Sequence, residues 1–496
     1  MRRYRPQQQL SIKEFSTPFE AELDTENRWV LLSSVIPWDH FAAVYYKNFK
    51  TNRGAPTKDA RLVLGVVIIK HMLKLDDIGV IEMIQENPYM QYFLGLRAFS
   101  KKPVMDPSLL VHIRKRLDLN VFEAMTDELI KKGLGIKSKE DELDGDNNTP
   151  ASTKNKGKLQ LDATVADADI KFPTDLDMLN DSREKAEDLI DHLCRENKIV
   201  KRPRTYRKVA RKEYLNVSKM KRKTDKALRR GLKLQINYLR RDIKIINGLL
   251  DISQNELAFN RHQQKYFFVI QNVLDQQEKM FRERSSSCSD RIVSIHQPHI
   301  RPIVRGKAKA KVEFGAKINV SLQDGYAKID RFDWNAYNEG GDLKMQVERY
   351  RELNGYYPEL LLADKIYLTR ENRAYLKEHN IRHTGDPLGR KPLRSPKTAY
   401  QKRKARQECA QRNQIEGKFG QGKNGYNLNH IRARLSSTSI SWIAAIIFVM
   451  NIIRHTKGFV SSIVNLLLDN LMKLKYLLIG KFSPFGQFLM PVRIIQ

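Results

Sequence analysis

Three carboxylates stand in settings that call for an explanation. The first is Asp162 in KLQLDATVADADI, where Leu159, Leu161 and Ala163 alternate with Lys158, Gln160 and Asp162. A period of two predicts a strand with Asp162 on its less apolar face. The second, Asp364, closes the apolar run YPELLLADKIY. Open α/β sheets collect ligands beyond the carboxyl ends of their strands, so an acid there is placed for chemistry. The third is Glu416 in RNQIEGKFGQGKNGY: between Arg390 and Arg434 a long run of Lys and Arg is interrupted by acid only at Glu408 and Glu416.

A helix through that segment brings Arg412, Glu416 and Lys423 to one face. Two readings fit it. In one, Glu416 holds metal while its basic neighbours hold the phosphates on which the metal acts. In the other, Arg412 and Glu416 are an exposed ion pair contributing about 0.2–0.5 kcal/mol. The helix pattern alone does not choose between them. Under the first reading the three acids suit magnesium or manganese, which take hard oxygen ligands. Two such ions about 4 Å apart activate an attacking oxygen and stabilise a leaving one in an in-line phosphoryl displacement.

The rest of the chain must position these acids. Its 496 residues predict several domains, and its formal charge of +32 predicts a polyanionic partner, nucleic acid before anionic membrane. Residues 195–244 carry 20 Lys or Arg against 4 Asp or Glu, half of the net charge. Solvated helix faces mix both signs, so this asymmetry reads as a polyphosphate contact surface, with Arg202, Arg204, Arg207, Lys208, Arg211, Lys212, Arg229 and Arg230 as candidates. Tyr206 and Tyr214 within it are candidates for stacking or for packing.

The most apolar run, Trp442 to Ile453, is short of the roughly 20 residues a bilayer needs and reads as a buried core helix. The N-terminus has basic residues but no apolar segment after them, so no secretory signal is expected and the protein is placed in the cytoplasm. Cys194, Cys288 and Cys409 are isolated, which excludes a disulfide framework. Cys288 with His296 and His299 lacks a fourth ligand at a typical spacing and reads as an ordinary loop.

Residues 57–134 read as an all-helical unit with Thr57 as a first cap and Asp106-Pro107 as a later start signal. Residues 136–157 read as a polar linker. A strand follows at 158, then a mostly helical insertion of residues 176–302, and strand-like segments resume only after residue 310. KVEFGAKINVSL and YAKIDRFDW flank the hairpin signal QDGY; a helix, the strand ending at Asp364, the helix candidate TRENRAYLKEH and IRHTG complete a mixed α/β sheet. From Ser437 onward, apolar helix candidates read as a cover for the sheet, with a dimer contact as the alternative. Among other acids, Asp167 and Asp169 share a strand face only if the strand stays regular. Asp175 and Asp177 read as anions at a helix start, and Asp386 as a turn residue. Trp334 is a candidate for stacking on a DNA base, with core packing as its alternative.

LDATVADADIKFPTDLDMLN, KVEFGAKINVSLQDGYAKIDRFDWNAYNEGGDL, YYPELLLADKIYLTRENRAYL and RNQIEGKFGQGKNGYNLNHIRARL together resemble the DDE transposases of bacterial insertion sequences, most closely the insertion-sequence-five family. The resemblance implies an RNase H-like core interrupted by a basic helical insertion. It also implies a helical N-terminal domain over residues 1–135, whose short amphipathic helices read either as a DNA-binding unit or as plain core, and a two-Mg²⁺ (or Mn²⁺) site at Asp162, Asp364 and Glu416. The related insertion-sequence-four group carries Tyr, Arg, Glu and Lys at intervals that fall here on Cys409, Arg412, Glu416 and Lys423. The Arg and Lys of that signature contact phosphates; Cys409 stands where it has Tyr.

The implied activity is that of a nucleoid-associated transposase, a homodimer on double-stranded DNA and not a membrane protein. It would bind the inverted repeats of its element, free a 3′-OH and direct it onto a target phosphate. The alternatives are an RNase H-like nuclease or resolvase that cuts without joining, and a noncatalytic DNA-binding remnant.

Overall fold

A computed structural model describes residues 15, 17, 22–47, 49, 57–136, 154–253, 258–304, 312–385, 389 and 398–458. Most of the polar 136–157 segment, Asp386 and everything after residue 458 lie outside them. The chain opens with α1 (Arg28–Val35) and α2 (Trp38–Lys47), followed by α3 (Ala60–Leu73), α4 (Asp77–Glu86), α5 (Pro88–Phe93), α6 (Leu109–Arg116) and α7 (Leu119–Leu134). Helix α3 is capped by Asp59, whose carboxylate accepts from the Arg61 and Leu62 amides, not by Thr57. Asp binds these orphan amides with a full negative charge at the positive end of the helix dipole, which Thr57, two residues upstream, cannot match.

Strand β1 (Lys158–Asp167) leads into the insertion: α8 (Asp175–Glu196), α9 (Arg207–Ser218), α10 (Asp225–Asp251) and α11 (Arg261–Glu283). Asp175 and Asp177 do sit in the first turn of α8, behind the cap Thr174. The insertion has a core of its own, in which Leu179, Leu193, Leu239, Ile246 and Ile270 are fully buried.

The chain returns through β2 (Arg301–Val304), β3 (Val312–Gln323) and β4 (Tyr326–Asp333), then α12 (Leu343–Asn354), β5 (Leu360–Ala363), α13 (Arg370–Glu378), β6 (Arg382–His383) and α14 (Ala399–Tyr426). The four-residue β2 begins before residue 310 and corrects the reading that strands resume only after it. RPIV is too short to show an alternation, and it extends the outer edge of β3 below β4. Asp324 and Gly325, at φ of 47° and 86°, form the tight turn that QDGY announces.

The sheet runs β2-β3-β1-β5-β6, with β4 also on β3; β3 is antiparallel to β1, β2 and β4, while β5 is parallel to β1 and β6. Helices cover both faces. Leu159, Leu161, Leu361 and Ala363 pack with Leu343 and Val347 of α12 and Leu376 of α13. On the other face Ala166, Ile318, Val320 and Leu322 join Ile415 and Phe419 of α14, the N-terminal helices and a last helix, α15 (Ser436–Gly458).

Helix α15 spans 23 residues, longer than the apolar run within it, and by length and composition it could cross a membrane. Here it is a core helix: 78% of its most apolar window is buried. Phe448 meets Phe41 of α2 at 5.2 Å and Phe122 of α7 at 5.4 Å, and Trp442 lies under the Lys70 ammonium at 4.2 Å. The N-terminal helices, α15 and one face of the sheet therefore share a single apolar core.

Candidate active site

Strands β1 and β5 run parallel in a register that ends with Gln160 opposite Leu362 and Leu161 opposite Ala363. Asp162 and Asp364 are the next residues along. Because side chains alternate and Leu161 and Ala363 belong to the α12 face, both acids project to the opposite face, on strands about 4.8 Å apart. Each carboxylate accepts a hydrogen bond from the amide that follows it, Ala163 and Lys365, both at 2.8 Å.

Helix α14 lies across that face. Thr398 and Gln401 close a capping box at its start, and Ile415 and Phe419 anchor its second half in the core. Its polar contacts follow β1: Gln411 with Lys158 at 3.0 Å, Gln414 with Gln160 at 3.0 Å, and Lys423 with Asp167 at 3.5 Å. Glu416 falls between the second and third of these, alongside the stretch of β1 that contains Asp162. The guanidinium of Arg412 bridges two of the acids, standing 3.1 Å from Asp364 Oδ1 and 3.8 Å from Glu416 Oε1. The i,i+4 ion pair of the sequence reading thus exists, but with Asp364 as a second and closer partner.

All three acids offer hard oxygen, the donor type magnesium and manganese take. The Asp364 and Glu416 side chains are 59% and 60% exposed, so an ion from solvent could reach them. Among the described residues no three His, Cys, Asp or Glu groups are close enough to chelate one ion together. The donors fit in kind, and a cation, Arg412, already stands between two of them.

Behind Asp364 is a buried polar support that sequence reasoning missed. The Tyr367 hydroxyl, three residues on, donates to Asn319 Oδ1 at 2.6 Å, and Asn319 Nδ2 donates to Asp342 Oδ2 at 2.9 Å. Arg331 completes the chain at 3.0 Å from Asp342 Oδ1, and Asn372 Nδ2 holds the Tyr367 carbonyl at 2.7 Å. Burial, then the negative charges of Glu339 and Asp162, push the Tyr367 phenol well above its ordinary range, so it stays a donor. Asn319 was the available signal, a polar residue within the apolar strand KINVSL.

The other candidates divide. Lys423 meets Glu313 at 3.6 Å as well as Asp167, so both cations selected for phosphate are paired with acids here. In the insertion Arg207 makes a two-pronged pair with Asp191 at 2.9 and 3.0 Å, Arg211 pairs with Glu184, and Arg229 stacks over Phe281 at 4.2 Å. Arg202 lies 3.8 Å from Asp191, while Arg204, Lys208, Lys212 and Arg230 are exposed. Tyr214 packs within the insertion, its hydroxyl donating to Asp177 at 2.6 Å; Tyr206 remains exposed. Trp334 is half-buried, donates to Ser436 Oγ at 2.9 Å and meets the His299 ring at 4.4 Å. The His296 imidazole hydrogen-bonds the Tyr266 hydroxyl at 2.7 Å.

Comparison with known proteins bears on this geometry. Residues 361–453, from β5 through α14 into α15, match the family described as "Transposase DDE domain"; Asp364 and Glu416 are inside the match. Residues 17–116 match "Transposase domain (DUF772)". The chain is 31% identical over 161 residues to "Uncharacterized protein ORF8 in nfe locus" of Rhizobium meliloti, covering 32% of this chain and 72% of that protein. No solved structure matches. DDE domains depend in general on divalent metal, and this chain carries two segments that match transposase domains, which together support a transposase of an insertion sequence.

Proposed function

We propose that this transposase binds the terminal inverted repeats of its own insertion sequence, cleaves the end phosphodiester and joins the freed 3′-OH to target DNA. Its catalytic carboxylates are Asp162, Asp364 and Glu416. The observation that carries the reading is the placement of Asp162 and Asp364 one residue past the paired register of two neighbouring parallel strands, under the helix whose Glu416 is linked to Asp364 through Arg412. The strand order supports an RNase H-like core: an antiparallel β4-β3-β1 meander with β5 and β6 added parallel to β1.

The three carboxylates would hold two Mg²⁺ or Mn²⁺ ions, which supply Lewis-acid activation of the attacking oxygen and stabilisation of the leaving one. Asp162 and Asp364 are fixed by the sheet and by their amide hydrogen bonds, so their spacing does not depend on DNA. Glu416 rides on α14, and its approach is set by how firmly that helix packs. Arg412 and Lys423 exchange carboxylate for phosphate oxygens when the substrate arrives, an exchange of like for like in charge-assisted hydrogen bonds. The exposed cations of the insertion grip the duplex, and two protomers bridge two ends. Within this reading the insertion-sequence-five family remains the best assignment, with a cytoplasmic site of action.

The test is cleavage of a duplex carrying the element's end, with Mg²⁺, by the wild type and by Asp162→Asn. Nicking at the end by the wild type alone, with both proteins retarding the DNA equally, supports the reading. Equal cleavage by both would overturn it. Cleaved but never joined products would favour the nuclease alternative.

A further inference from the structure

The first half of α14 is unlike the second. From Ala399 to Ala410 every side chain but that of Glu408 is exposed, and no residue of the helix is buried before Ile415. Glu408, the acid of this half, is paired with Arg382. Lys402, Arg403, Lys404 and Arg406 have no carboxylate within ion-pair distance among the described residues. A helix that is polar all round gains nothing from packing on its own protein, so its stability must come from elsewhere. The capping box at Thr398 fixes its start, and the anchored second half fixes its direction.

At 100° per residue, Lys402, Arg406 and Glu416 lie within about 80° of one another around the helix, Arg403 flanks them, and Lys404 faces away. Cations on two flanks of one helix can meet phosphates on both walls of a groove. The major groove, about 12 Å wide, admits a helix about 10–12 Å across.

We propose that the exposed half of α14 lies in the major groove of the duplex beside the scissile bond, with Lys402, Arg403, Lys404 and Arg406 on its phosphates. This rests on the transposase reading and adds to it a second binding element, continuous with the candidate catalytic helix. The occupant is double-stranded DNA because the surface offers four cations and no unpaired acid. The helix also sets a ruler. Arg406 and Lys402 precede Glu416 by about 15 and 21 Å at 1.5 Å per residue. At about 3.4 Å per base pair, they reach phosphates about four to six base pairs from the cleaved bond.

The experiment compares the wild type with the fourfold variant Lys402→Ala, Arg403→Ala, Lys404→Ala, Arg406→Ala in full-length protein. The substrates are end duplexes carrying neutral methylphosphonates four to six positions from the scissile phosphate, or none. Circular dichroism and thermal melting check that the variant folds; all four side chains are exposed, so it should melt like the wild type. The expected result is that the slope of log affinity against log salt falls by about 3 to 4 in the variant, at about 0.9 per phosphate contact. Methylphosphonates should weaken the wild type and leave the variant unchanged. An unchanged salt slope, with wild-type cleavage intact, overturns this inference and leaves the transposase reading standing. A changed self-association on sedimentation with an unchanged salt slope overturns it in favour of a second copy as the occupant. A wild type that neither binds nor cuts end DNA removes the transposase reading itself.

Discussion

The basic insertion and the first half of α14 both carry an excess of positive charge and place it differently. In the insertion, Arg183 is buried against Glu187 and Gln235, Arg207 is held by Asp191, Arg211 by Glu184, and Arg240 by Glu278. In α14, Lys402, Arg403, Lys404 and Arg406 project into solvent. Part of the insertion's charge thus holds its four helices together, and the rest faces outward. Net charge predicts a polyanionic partner, but the count of acids within reach decides which cations can meet it.

The largest effect should fall on neither region. Asp162→Asn, Asp364→Asn or Glu416→Gln should each lower end cleavage by about a thousandfold, the loss of several kcal/mol of transition-state stabilisation at about 1.4 kcal/mol per tenfold. DNA affinity, measured by gel retardation, should stay within about threefold, because the basic surfaces remain. A variant that loses binding with cleavage would place the acid in DNA recognition and blur the separation between chemistry and grip.

Next in size is the stability contrast between the two basic regions. Arg183→Ala leaves the buried Glu187 with only the more distant Arg207, 3.9 Å away, and should destabilise the protein by about 3 kcal/mol in urea denaturation. Arg403→Ala should cost nothing in the same assay and instead lower the salt slope. Equal effects at the two positions would erase the comparison.

The interior of the insertion also predicts a pH dependence. Burial, then the neighbouring Glu187 carboxylate, raises Asp242 to about 7, and burial raises Glu187 as well; Arg183 and Arg207 oppose both shifts, and Arg241 that of Asp242, only in part. A carboxyl raised in the folded state holds its proton there after the unfolded chain has released it. Its contribution is fully present below about pH 4 and is lost as pH rises through about 7. Denaturation midpoints should therefore fall between pH 5 and 8, and Asp242→Asn should flatten that fall.

The smallest expected effect is on Arg412. As the cation between Asp364 and Glu416, both more than half exposed, it is worth about 1 kcal/mol or less in the protein alone. Arg412→Ala should leave the melting temperature nearly unchanged and still weaken the retention of cleaved DNA.

Much of this architecture was legible because the sequence patterns are local. The alternation around Asp162, the apolar run ending at Asp364, the QDGY turn and the amphipathic helices of the insertion each specify an element within a few residues of themselves. The polar support behind Asp364 was not, since Tyr367, Asn319, Asp342 and Asn372 come from separate elements and meet only after the sheet forms. Nor was the strand β2, too short for a pattern of its own. The shared core beneath α15 escaped for the opposite reason: a polar stretch at 136–157 reads as a boundary, yet the helices before it pack against a helix 300 residues later. The split of the basic residues into paired and exposed sets was likewise invisible, because acids such as Asp191, Glu184 and Glu278 lie on different helices from most of the arginines they hold.

The central claim is that Asp162, Asp364 and Glu416 form one metal site. It is tested most directly by titrating Mn²⁺ into the protein bound to end DNA, with electron paramagnetic resonance reading the free ion. The account predicts tight binding by the wild type and weakened binding by each of Asp162→Asn, Asp364→Asn and Glu416→Gln. Unchanged Mn²⁺ binding by Glu416→Gln, with loss in the two aspartate variants, would contradict it and remove Glu416 from the site.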